Sequence, residues 1–107
     1  MKNKILSNAG LEYNFGKLNG AKRTVDYFEK RVERLAVAED DDAPEKIEKL
    51  KSAIDAWNKE AERISEIIQT HVVALKKTFG KIPSAVERAK EIETRLKEMN
   101  SKDEKAS

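Results

Sequence analysis

Ile47, Leu50, Ile54, Trp57, Ala61, Ile64, Ile68, His71 and Leu75 follow one another in alternating steps of three and four residues. That spacing returns to one side of an α-helix and makes a heptad seam. Between Pro44 and Phe79 there is neither glycine nor a second proline, so the pattern predicts one helix over residues 43–79, roughly 54 Å long. A second seam, Ala21, Val25, Phe28, Val32 and Leu35, predicts a helix over 21–38. A third, Ala85, Ala89, Ile92, Leu96 and Met99, predicts one over 84–100.

Local signals punctuate these segments. Asp42, Pro44 and Glu45 form a helix start, with a capping side chain, an early proline and a carboxylate three residues after the cap. Ser84 and Glu87 have the spacing of a capping box. Lys76 and Lys77 suit the negative end of the long helix, and Gly80 suits a left-handed closing residue. Residues 1–20 hold three of the four glycines and alternate Leu11, Tyr13 and Phe15 with polar residues, which predicts an irregular arm, a short strand or a brief helix near the start. Residues 101–107 have no large apolar side chain and are expected to form a disordered tail.

The fold class is therefore all-α: an N-terminal arm over 1–20, a helical domain over 21–100 and a tail over 101–107. Short connections make the outer helices antiparallel neighbours of the long one, as a coiled coil or helical bundle. The apolar arc of residues 47–61 is about 100° wide, enough for one partner helix, whereas Ile67, Val72 and Ala74 widen the rear half to about 160° and demand two. So slender a body leaves apolar surface wet, which predicts completion as a homodimer with Trp57, Ala61, Ile64, Ile68 and His71 in the self-interface.

Composition narrows the function. The chain has 107 residues, 39% of them charged, and no cysteine. That excludes disulfides and thiolate sites, leaves no span apolar enough for a membrane, and is consistent with a cytoplasmic protein. With 22 basic and 20 acidic side chains, no global field attracts a polyanion. No phosphate loop, nucleophile elbow or catalytic triad is legible, so neither an enzyme nor a cofactor is expected. His71 stands without further ligands at metal-binding spacing and reads as a core or interface histidine that could make assembly depend on pH. The acidic run at 39–42 lacks the pattern of a calcium loop, and no metal is assigned to it.

What remains is a non-catalytic interaction protein: an adaptor, inhibitor or assembly subunit that binds a protein partner by occupancy. Small viral and mobile-element products share this character. Its expected contacts are Leu11, Tyr13 and Phe15 on the arm, with Ile67, Val72 and Phe79 on the wide rear arc. The alternative is a nucleic-acid-binding dimer using Lys17, Lys22 and Arg23 beside the arm's aromatics.

Overall fold

The computed structural model describes residues 5–106, with side chains as far as Ser101. It is all-helical: α1 is Asn8–Ala36, α2 is Ala43–Thr78 and α3 is Pro83–Ala106. The long central helix has 36 residues and ends one residue before the expected boundary.

The arm is the main correction. From Asn8 onward it is helix, the first three turns of α1, and no strand occurs among the described residues. Residues 1–4 lie outside them. The alternation of Leu11, Tyr13 and Phe15 conceals a helical pattern completed by a residue the seam had omitted: Leu11, Phe15 and Leu18 recur at four and three, and all three are buried. Ser7 starts the helix, its Oγ accepting from the N–H of Gly10 at 3.0 Å while its carbonyl accepts from Leu11. Each interior glycine costs a helix up to about 1 kcal/mol. Burying Leu11, Phe15 and Leu18 outweighs that cost.

The other boundaries shift for local reasons. At α2 the organising acid is Asp40, which accepts from the N–H of Asp42 at 2.9 Å and from Lys46 Nζ at 3.0 Å. At α3 Pro83 takes the first helical position and the carbonyl of Ile82 accepts from Ala85 and Val86, so Ser84 lies inside the helix instead of capping it. Gly80 has no positive φ and does not close α2 in the left-handed conformation. The expected tail is helical to Ala106, in a stretch of Lys, Glu and Ala that contains no breaker after Pro83.

The chain divides into two units. The first comprises residues up to Gly16 together with Ile64 onward. There the start of α1, the second half of α2 and α3 enclose one core, with Leu11 and Phe15, then Ile64, Ile68 and Val72, then Ala89, Ile92 and Leu96. The wide rear arc of α2 meets two neighbours, α3 and the first turns of α1, where the sequence pattern predicts an arm. The second unit, Lys17–Arg63, is a two-helix hairpin. Leu18, Ala21, Val25 and Ala61 are buried in it, whereas toward the loop Phe28, Val32, Leu35, Ile47, Leu50 and Ile54 are only half-buried, as expected of a seam between two helices with no third.

Candidate interaction surface

In the first unit the polar contacts fasten helices to one another. Arg95 donates to both carboxylate oxygens of Glu12, at 2.8 and 3.0 Å, and its guanidinium lies 4.0 Å from the centre of the Phe15 ring. The hydrogen bond from Arg95 holds Glu12 below the usual carboxylate range. Arg88 donates to Asn8 Oδ1 at 2.7 Å and Lys76 to Glu93 at 2.9 Å. His71 is 3% exposed and its Nδ1 accepts from the backbone N–H of Leu6. Burial, helped by the charge of Arg88, pushes the imidazole below its ordinary value and favours the neutral ring. Among the described residues no cluster of three or more His, Asp or Glu is placed to hold a metal ion. A depression of about 360 Å³ on the outer side of α3, between Glu87 and Glu98, is shallow and solvent-open.

Most expected contact residues prove to be core. Of the self-interface set, Ala61, Ile64, Ile68 and His71 are buried by the chain's own helices, and Trp57 alone remains accessible, at 40%. A second copy is not needed to cover the other four. Of the partner set, Leu11, Phe15 and Val72 are buried and Ile67 is half-buried, for the same reason: the first turns of α1 pack as a helix and close the core. Tyr13, at 66%, and Phe79, at 38%, stay open to solvent. Lys17, Lys22 and Arg23 all lie on α1, where steps of five and six residues turn them to different sides, so they do not make one patch.

The hairpin offers a more coherent surface. Placing Val25 and Ile54 at equivalent heptad positions makes Lys17, Thr24 and Arg31 flank the seam on α1, with Lys46, Ala53 and Glu60 flanking it on α2. In an antiparallel pair these flanking rows face each other. Lys17 lies near enough to Glu60, and Arg31 near enough to Lys46, for their charges to act on one another, which agrees with this register. Fourteen residues forward on α1 therefore match fourteen backward on α2, two whole heptads. The next row outward on this side holds Gly20, Tyr27 and Arg34 from α1, and Lys49, Ala56 and Arg63 from α2. Tyr27 is 55% exposed, its ring 5.8 Å from that of Phe28. The cations of this surface are dispersed in sequence and gathered only by the helical repeat, so a linear run of charge does not mark it.

No known protein family, curated protein or solved structure matches the chain. No helix among the described residues is long and apolar enough to cross a membrane.

Proposed function

We propose that this is a non-catalytic interaction protein whose first unit is a rigid three-segment core and whose hairpin, Lys17–Arg63, contacts a protein partner. The contrast in burial carries this reading. Where three helical segments meet, Ile68 and Val72 are wholly covered, whereas in the loop-side part of the hairpin Phe28, Val32, Leu35, Ile47, Leu50 and Ile54 stay half-buried, with Trp57 and Tyr27 accessible nearby. Exposed aromatics next to a half-covered seam are what a partner helix would bury. The mechanism is occupancy: a helix laid along the hairpin would supply the third layer that the first unit obtains from α3.

Trp57 is the only tryptophan and reports on the surface directly. Quantitative pull-downs with the wild type, Tyr27→Ala and Trp57→Ala should identify proteins retained by the first and lost from both variants. Titration of the purified candidate should shift Trp57 emission to the blue. A candidate retained equally by all three, with unchanged emission, would overturn the reading. The second reading, nucleic-acid binding, gains support from the cations beside Tyr27 on the hairpin. Phosphate-driven binding would weaken steeply between 50 and 200 mM salt, whereas apolar docking would change little.

A further inference from the structure

The hairpin sorts its charges by side. Flanking the seam on the side of Lys17 and Glu60 are the cations Lys17, Arg31, Arg34, Lys46, Lys49 and Arg63, against Glu60 alone. The opposite flank, in the same heptad frame, carries Asp26, Glu29, Glu33, Glu48, Asp55 and Glu62, against Lys22 and Lys51. The formal charges are five positive on one side and four negative on the other. All six cations and all six anions are exposed. Each side extends over about 26 Å of helix, the rise from position 17 to 34.

Local pairing moderates this separation without removing it. Lys46 is held by Asp40 at 3.0 Å, Arg63 by Glu60 at 2.7 Å and Lys49 by Glu45 at 3.5 Å; Asp26 pairs with Lys30 and Asp55 with Lys59. These are solvent-exposed pairs, which bind their charges weakly. Arg31 lies near enough to Lys46 to oppose its charge, so like charges do gather on the basic side.

We propose that the hairpin binds a second copy of this chain, the basic side of one molecule resting on the acidic side of the next. Charge complementarity selects this occupant. The whole chain is nearly balanced, 22 cations to 20 anions, so the basic side exists because charges are segregated and not because cations are in excess. A surface meant for a polyanion has no need of a compensating acidic side; one meant for its own copy needs both. Because the two sides differ, the contact is head-to-tail and leaves an unsatisfied side at each end, so association continues beyond a dimer. The proposal concerns the purified chain alone and does not depend on a foreign partner.

Sedimentation velocity at 20 mM salt should give a weight-average mass that rises above 12.2 kDa with protein concentration and returns to it at 500 mM salt. Arg34→Glu with Lys49→Glu cuts the basic side from five net positive charges to one, and Glu33→Lys with Asp55→Lys neutralises the four net negative charges of the acidic side. Each double variant alone should lose association by about tenfold or more, and an equimolar mixture should regain it. All four positions are exposed, and far-UV circular dichroism establishes that the variants remain helical. A wild type that stays at 12.2 kDa at low salt overturns the proposal. So does an equimolar mixture that fails to associate, or a monomeric wild type whose basic side instead binds a single-stranded oligonucleotide.

Discussion

The backbone N–H of Leu6 donates to Nδ1 of His71 at 2.9 Å, joining two residues 65 positions apart. An accepting Nδ1 has no proton, so the neutral ring carries its hydrogen on Nε2. Protonation would place a hydrogen on Nδ1, oppose it to the Leu6 N–H and put a cation in a buried site near Arg88. The folded-state pKa is therefore depressed below the ordinary value near 6.5. For a base shifted in this direction the unfolded chain binds more protons, so stability is complete above the ordinary value and falls as pH drops below it, until the lower folded value is passed. The urea midpoint should decline from pH 7.5 to 5.5. His71→Asn, whose side-chain oxygen can accept from Leu6, should flatten the profile; equal slopes for both proteins would contradict the assignment.

Gly16 and Gly20 lie inside α1, and a methyl group at either would meet nothing within 4 Å. Alanine there restricts the unfolded chain and favours helix without a steric cost. Gly16→Ala and Gly20→Ala should each raise stability by about 0.5–1 kcal/mol. Gly80 is the opposite case, since a Cβ there would stand 2.5 Å from the carbonyl oxygen of Lys76, a backbone atom that cannot turn aside. Gly80→Ala should lower the urea midpoint. A gain at Gly80, or losses at Gly16 and Gly20, would mean that the turn after α2 or the course of α1 is different.

The seam of α2 was legible because nine positions keep a three-four rhythm with no breaker between them. The start of α1 was not, because Gly10, Gly16 and Gly20 resemble turn signals and Leu11, Tyr13 and Phe15 mimic a strand. Burial of Leu11, Phe15 and Leu18 on one helical face overrides both local signals. A helix that began only at residue 21 would leave the rear arc of α2 without its second neighbour, and Ile64, Ile68 and His71 would need a second copy to cover them. Trp57 stayed ambiguous for another reason: its seam position is real, but the depth of a seam depends on how many helices meet there. The charged sides of the hairpin were present in the heptads and emerge only when cations are counted around the helix.

Burial separates the energetic weight of two neighbours on one seam. Ile68 is wholly buried, so Ile68→Ala should cost about 2–5 kcal/mol through lost contacts and an unfilled cavity. Trp57 is 40% exposed, and Trp57→Ala should cost markedly less despite removing a larger side chain. Urea denaturation of both variants decides the order. A larger loss at Trp57 would place the main core in the hairpin.

Ala61→Glu would be an apt variant for breaking a dimer if Ala61 were exposed at a self-interface, but it is 8% exposed within a single chain. The introduced carboxylate would replace a methyl group at a closed seam position, at a cost on the order of 3 kcal/mol. Burial would also raise the pKa of that carboxyl in the folded state. A group shifted upward binds more protons when folded, so its penalty shrinks as pH falls. The gap in urea midpoint between wild type and variant should therefore be wide at pH 7.5 and narrower at pH 5. If Ala61→Glu instead keeps the wild-type midpoint at both pH values and halves the mass in solution, Ala61 belongs to a contact between copies and the seam of α2 is open where the fold has it closed.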